Sequence, residues 1–269
     1  MMEMEINGQL GKEQYANADK FKARIYLNGK FGTNPYPWPA WIFDQFEQRE
    51  HCKILELGCG TGLLWRVNAG RIPDGWEITL SDASEGMLNE ARKNLAGKGL
   101  QLNFMVMDAE DINLPEGSFD GVIANNMLYH VANREKALTE IKRVLKDKGV
   151  FYAATASIKN MQELKSLIKP FNDNPPAPPV VGNFSLENGR DQLSPFFSGI
   201  EMKKYEDSLA ITEADAIVDY FLSVNGITEG RVVLKEGKID EFRCFIHKKM
   251  ESEGEIAVSK DTGIFICRK

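Results

Sequence analysis

The residues with most chemical promise form one short run, Glu56-Leu57-Gly58-Cys59-Gly60-Thr61-Gly62. Glycines let a backbone turn sharply and let a ligand approach the peptide plane. Here they follow an apolar stretch, Lys53 to Leu57, and precede a helical pattern from Leu63 to about Ala69. Amides at a helix N-terminus can receive a carboxylate. The spacing separates this loop from two other nucleotide loops. With Gly58 and Gly60 as the first glycines of a Gly-x-Gly-x-x-Gly dinucleotide fingerprint, the third position is Leu63. No Gly-Lys-Ser/Thr follows, which excludes a Walker phosphate loop. Polar residues also close later apolar runs: Asp82 after Trp76 to Leu80, Asp108 after Leu102 to Met107, and Asn125-Asn126 after Phe119 to Ala124. Each has a structural reading. Gly58-x-Gly60 can be a tight strand-to-helix turn, Asp82 a helix N-cap, Met87 plain core and Asp108 a solvated loop carboxylate. All of them fall at strand ends, where ligands bind in open α/β sheets.

An alternation of strand and helix signals positions these residues. Strand patterns at 53–57, 76–80, 102–107, 119–124 and 150–155 are separated by helical or long connections. One helix carries Met87, Leu88, Ala91 and Leu95 on one side. Another, from Arg134 to Lys146, carries Ala137, Leu138, Ile141, Val144 and Leu145, with Gly149 expected to stop it. Such alternation implies a parallel sheet covered on both faces. Upstream, residues 12–28 have helical spacing, Thr33 to Pro39 reads as a rigid aromatic turn, and Pro39 can open the next helix. After residue 157 come a helix ending at Pro170, a proline-rich connector, a strand from Ile200 to Asp207, and a capping-box-like Thr212-x-x-Asp215 opening a helix. A further helix uses Ile239, Phe242, Ile246 and Met250, and a hairpin-like ending turns around Lys260-Asp261-Thr262.

The 269 residues suffice for one large α/β domain. The expected organisation is a single domain: residues 1–50 as a helical lid, 51–157 as the nucleotide-binding core, 158–254 as a strand plus helical inserts, and 255–269 as closing strands. A net charge of −6, with no basic stripe of interleaved aromatics, argues against a nucleic-acid partner. Four cysteines without paired spacing and three histidines outside any His-Glu-x-x-His pattern argue against a metal site. No signal-peptide pattern and no run of 18 apolar residues is present, so a cytoplasmic protein without a membrane span is expected.

Residues 53–157 resemble the class I S-adenosylmethionine-dependent methyltransferases of the small-molecule type. The resemblance rests on Ile54 to Gly62, Ser81-Asp82-Ala83-Ser84-x-x-Met87-Leu88, Asp108-Ala109-Glu110-Asp111-x-x-Leu114-Pro115 and Phe119-Asp120. It continues through Leu128-Tyr129-His130 and Glu140-Ile141-x-Arg143-Val144-Leu145-Lys146. It implies a Rossmann-like, doubly wound, mostly parallel sheet of about seven strands with an antiparallel C-terminal strand and helical lid or insert elements. It implies S-adenosylmethionine as cofactor, S-adenosylhomocysteine as product and a small-molecule methyl acceptor. By resemblance, Gly58, Cys59, Gly60 and Gly62 cradle the methionine part, with Glu56 near its ammonium through water. Asp82 holds the ribose hydroxyls, Ala83 and Met87 border the adenine, and Asp108, Ala109 and Glu110 meet its edge. Asn125 offers its backbone carbonyl to the ammonium. His130 is the candidate base. Tyr129 lies on the acceptor side, with Tyr15, Tyr26, Asn34 and Tyr36 in the lid. Two other readings stay open: a protein that binds the cofactor or its product without turnover, and a nicotinamide-dependent oxidoreductase. A monomer or homodimer fits either way.

Overall fold

Apolar runs of five to seven residues, too short for core helices and bounded by turn residues, become the central strands. The computed structural model describes residues 18–174, 179–225 and 232–269, with side chains from Lys22 onward. In it, β1 (Lys53–Leu57), β2 (Glu77–Asp82), β3 (Leu102–Val106) and β4 (Phe119–Asn125) run parallel, joined by β5 (Leu145–Ala156), β6 (Ser198–Ile211) and β7 (Ile256–Arg268). The seven strands lie in the order β3-β2-β1-β4-β5-β7-β6, with β7 antiparallel to β5. The Rossmann-like, mostly parallel sheet expected from the sequence is therefore present.

The period of two along each strand sorts side chains between two cores. Leu55, Leu57, Val122, Ala124, Phe151 and Ala153 join one. Ile54, Ile78, Leu80, Ile123, Tyr152 and Ala154 join the other. The first is covered by α5 (Arg134–Val144) through Ala137, Leu138, Ile141 and Val144. The second is covered by α2 (Trp38–Asp44), α3 (Leu63–Asn68) and α4 (Glu85–Leu95) through Phe43, Trp65, Leu88 and Leu95. Each large side chain buried this way contributes about 1.5–3 kcal/mol. Phe197, among the aromatics of the later segments, is core on the α5 side, beside α7 (Gly189–Leu193).

The chain divides into two compact units. Trp38–Ile158, Val181–Tyr205 and Thr262–Lys269 make the sheet unit. Met1–Pro37, Lys159–Val180 and Glu206–Asp261 make the other. The latter contains α1 (Ala18–Phe31), α6 (Gln162–Ile168), α8 (Ala214–Val224) and α9 (Ile239–Glu253), around a core that includes Leu27, Leu164, Ile217, Phe221 and Phe242. Inside it, Asp207 accepts from the backbone amides of Thr33 (3.1 Å) and Asn34 (3.0 Å) and from Lys260 Nζ (2.5 Å), a buried ion pair that fixes the start of the aromatic turn.

Three local expectations are corrected. Gly149 does not stop α5. The helix ends at Val144, because Leu145 turns extended and pairs with Phe119 at the start of β5. Gly149 is needed for room instead: an added Cβ would lie 2.9 Å from both Leu145 Cδ2 and the Lys146 carbonyl oxygen. The ending is one continuous strand rather than a hairpin. The polar run Lys260-Asp261-Thr262 stays extended because Lys260 pairs with Asp207, the Asp261 amide donates to Asn160 Oδ1 (2.9 Å), and Thr262 registers with Ala156. The capping box does not form. Glu213 occupies the N-cap of α8 without a side-chain cap, and its carboxylate accepts from Tyr26 and Lys30.

Candidate functional site

Strand register sets the level of the site. Leu57 pairs with Ser81 on one side and Ala124 on the other, Asp82 with Val106, and Asn125 with Ala154. Gly58, Asp82 and Asn125 therefore sit along one sheet edge, beside β1, where the strand order reverses between β2 and β4. Open α/β sheets bind ligands at such a switch point.

The glycine loop is held by its own amides. The amide of Cys59 donates to the Ser81 carbonyl (2.9 Å), that of Gly60 to Asp82 Oδ2 (3.0 Å) and that of Gly62 to the Cys59 carbonyl (3.0 Å). These three donors are spent on loop shape, so the expectation that helix-start amides receive the ligand narrows. The helix itself has six residues. Gly58, Gly60 and Gly62 all have positive φ, at 67°, 54° and 73°. Side chains other than glycine resist this region. Gly58 also lets the Asn125–Leu128 segment close in, since a Cβ there would lie 2.9 Å from Met127 Cβ. At Gly62 a Cβ would come 2.8 Å from Leu95 Cδ1. Close packing against a neighbouring element, the role of the third glycine in a dinucleotide loop, thus falls to Gly62 against α4.

Asp82 is both a loop brace and an available acceptor. Its Oδ2 takes the Gly60 amide, and its Oδ1 takes the Ser84 amide (2.9 Å). Each carboxylate oxygen has capacity for a further donor. Burial pushes the Asp82 carboxyl up, and these two amides pull it back. The N-cap role considered for Asp82 belongs instead to Ser84, whose Oγ accepts from the Met87 amide (3.3 Å). Ala83 is exposed beside it, whereas Met87 is 1% exposed and its side chain is buried.

Glu56 is the most perturbed carboxyl of the site. It is 2% exposed and accepts from Trp65 Nε1 at 2.6 Å, while Trp65 is fully buried. Burial, countered by the indole and reinforced by Asp82, pushes its pKa up to about 7. Burial also raises the Cys59 thiol well above its usual range. Neutral thiols are poor nucleophiles, so Cys59 is a small wall of the loop.

The loop after β3 is clamped from α5. Arg143 grips Glu140 through Nε and Nη2 (2.8 and 2.7 Å) and donates to the carbonyls of Ile112 (2.6 Å) and Leu114 (2.9 Å). Glu140 in turn accepts from the Ile112 amide (3.2 Å). Asp108 is exposed and accepts from the Glu110 amide (3.0 Å), Ala109 is buried, and Glu110 accepts from the Asn133 amide (2.8 Å). Glu140 and Arg143 had no assigned role in the sequence, although their i, i+3 spacing on a helix was visible.

Beyond β4, Asn125 is half-buried, and Asn126 takes a left-handed φ of 56° while its amide donates to the Ala154 carbonyl (3.0 Å). A short 3₁₀ turn, Leu128–His130, follows. The Tyr129 and His130 rings lie 4.5 Å apart, centroid to centroid. Asn183 Nδ2 donates to the Tyr129 carbonyl (3.2 Å), tying this turn to the segment before α7.

The structure brings Glu56, Gly58, Cys59, Gly60, Gly62, Asp82 and Asn125 to one sheet edge, with Asp108 to Glu110 and Tyr129-His130 in the connections leaving it. The lid candidates fall in the other unit. Tyr26 donates to Glu213 (2.8 Å). Asn34 donates to the Glu206 carbonyl (2.8 Å) and accepts from the Tyr36 amide (2.9 Å), and Tyr36 is exposed. Tyr15 lies outside the described residues. No cluster of metal-ligating side chains occurs among the described residues, and none of their helices is long and apolar enough to cross a membrane.

Residues 55–153 match the family model described as a methyltransferase domain. The chain is 32% identical over 154 residues to a malonyl-[acyl-carrier protein] O-methyltransferase of Geobacter sulfurreducens, covering 57% of this chain and 53% of that protein. It is 35% identical over 112 residues to the ubiquinone/menaquinone biosynthesis C-methyltransferase UbiE of Bordetella avium, covering 42% and 44%. The chain thus spans about half the length of these relatives. Among solved structures, the YcgJ protein of Bacillus subtilis superposes with a TM-score of 0.58 at 17% identity, over 86% of this chain and 97% of that one. That likeness concerns the fold.

Proposed function

With residues 55–153 forming a domain of the class I S-adenosylmethionine-dependent methyltransferase family, we propose that the chain transfers a methyl group from S-adenosylmethionine to a small-molecule acceptor. One observation carries the reading: a braced carboxylate, Asp82, and a buried carboxyl, Glu56, flank a positive-φ glycine loop at the sheet's switch point. That set of acceptors suits adenosine bearing a cationic amino-acid tail, and it does not suit a pyrophosphate. When bound, the cofactor supplies a methyl group already activated on a sulfonium. The protein's part is then position and exclusion of water.

Asp82 accepts the ribose hydroxyls while its backbone donors hold it in place. Glu56 would lie near the ammonium through water, and the Asn125 backbone carbonyl would accept from it. Ala83 and the Asp108–Glu110 loop, clamped by Arg143, flank the base. His130 takes the proton from an acceptor that arrives protonated, with Tyr129 beside it. The likeness to a malonyl-[acyl-carrier protein] O-methyltransferase and to a C-methyltransferase of ubiquinone/menaquinone biosynthesis makes carboxylic acids and phenolic rings the first acceptor classes to try. The protein acts in the cytoplasm as a monomer or homodimer, with no nucleic-acid partner.

The test is methyl transfer from labelled S-adenosylmethionine to a panel of small carboxylic acids and phenols. Acceptor-dependent formation of S-adenosylhomocysteine is expected. Tight binding of both nucleosides with no transfer to any acceptor would favour a non-catalytic binding protein instead.

A further inference from the structure

The turn that carries His130 is gripped at a carbonyl on each side of that residue. Asn183 Nδ2 donates to the Tyr129 carbonyl (3.2 Å), and Arg134 Nη1 donates to the Val131 carbonyl (2.7 Å). The two grips belong to one chain of bonds. Arg134 Nε donates to Gln192 Oε1 (3.0 Å), and Gln192 Nε2 donates to the Asn183 carbonyl (2.9 Å). A primary amide can accept at one end and donate at the other, as Gln192 does here. Asn188 fixes the same segment, donating to the Gly182 carbonyl (2.8 Å) and accepting from the Ser185 amide (2.8 Å). The turn's own bonds run from the His130 amide to the Met127 carbonyl (2.9 Å) and from the Val131 amide to the Leu128 carbonyl (3.1 Å). Short 3₁₀ turns have poor hydrogen-bond geometry of their own.

Arg134 is half-buried at the first position of α5. Burial lowers its pKa, and Glu110 acts on it through space rather than by a hydrogen bond. A half-buried cation costs desolvation that an apolar side chain would not. What the guanidinium adds is a rigid fork that reaches the turn after β4 and α7 at once, which a lysine ammonium does not reproduce.

We propose that Arg134 is a positioning residue, which through Gln192 and Asn183 fixes the backbone on both sides of His130 and so sets the geometry at which that ring meets an acceptor. This rests on the functional reading above, in which His130 takes the acceptor's proton. Proton transfer needs heavy atoms about 2.6–3.2 Å apart. A misplacement of about 1 Å can cost about 10²-fold in rate. Gln192→Glu separates position from stability. The carboxylate still accepts from Arg134 and gives the cation an ion-pair partner, so the fold is kept. It cannot donate to the Asn183 carbonyl, so the grip on Tyr129 loosens.

The experiment follows amide hydrogen exchange of the full chain bound to S-adenosylhomocysteine, with Tm beside it, for the natural sequence, Gln192→Glu and Arg134→Met. The same proteins are assayed for methyl transfer to the carboxylic acids and phenols named above. In Gln192→Glu, exchange at His130 and Val131 should speed up about tenfold, with Ile141 in α5 unchanged and Tm unchanged or higher. Its kcat should fall at least about tenfold, with KM and S-adenosylhomocysteine affinity within about twofold. Arg134→Met should change the turn and the rate in the same way, at a lower Tm. A merely structural role for the relay predicts a normal kcat in Gln192→Glu. Unchanged exchange at His130 and Val131 in both variants, or a normal kcat in Gln192→Glu, would overturn the proposal while leaving the functional reading intact. Absence of transfer by the natural sequence to any acceptor would overturn that reading, and this inference with it.

Discussion

Replacing Glu56 by Gln should change how the ligand-free protein responds to pH. In the folded state the Glu56 carboxyl is pushed from its ordinary 4.5 up to about 7, chiefly by burial. In the unfolded chain it ionises at the ordinary value. The folded state therefore binds the proton more tightly, and Glu56 favours folding at low pH. That contribution is lost as pH rises between about 4.5 and about 7, and the loss is complete above. A rise of this size makes ionisation of Glu56 cost the folded protein about 3 kcal/mol. Gln keeps an oxygen for the Trp65 indole and cannot ionise. Between pH 5 and pH 8 the natural sequence should therefore lose about 3 kcal/mol more than Glu56→Gln. At roughly 2–4 °C per kcal/mol, that is a difference of roughly 6–12 °C in the change of Tm. Thermal unfolding followed by circular dichroism at both pH values measures it, and comparing slopes cancels any fixed packing offset of the amide. Parallel pH curves for the two proteins would refute the reasoning, since they would mean that Glu56 ionises in the fold as it does in water.

Gly62→Ala should destabilise by about 1–3 kcal/mol, because it adds a Cβ at φ 73° and pushes into Leu95; urea unfolding reports the change. Lys260→Met should cost about 3 kcal/mol in the same assay, since it leaves Asp207 buried with only its two backbone donors. With an acceptor in hand, His130→Ala should lower the transfer rate about 10²-fold and leave S-adenosylhomocysteine affinity within about twofold, a split that steady-state kinetics and titration resolve together.

The central sheet was legible because its signals are local. Apolar runs of the right length ended at Gly58, Asp82, Asp108 and Asn125, and the register places three of those ends side by side. What was not legible depends on partners distant in sequence. Lys260-Asp261-Thr262 looks like a turn until Asp207 and Asn160 satisfy its first two residues. Leu145 ends α5 by pairing with Phe119, four residues before the stop signal at Gly149. Within the site, residue types and order pointed to the loop and to Asp82. The hydrogen bond of Trp65 to Glu56, and the Arg143 clamp on the loop after β3, emerge only from the packed side chains.

The proposed role of the glycine loop and Asp82 is to hold the adenosine of S-adenosylmethionine. The direct measurement is thermal stability in parallel with S-adenosylmethionine, S-adenosylhomocysteine and NAD, for the natural sequence and Asp82→Ala. A specific ligand at about 100 times its Kd stabilises by about 2.7 kcal/mol. That stabilisation is expected with the first two ligands and not with NAD, and it should be lost in Asp82→Ala. Stabilisation by NAD alone, or an undiminished response in Asp82→Ala, would contradict it.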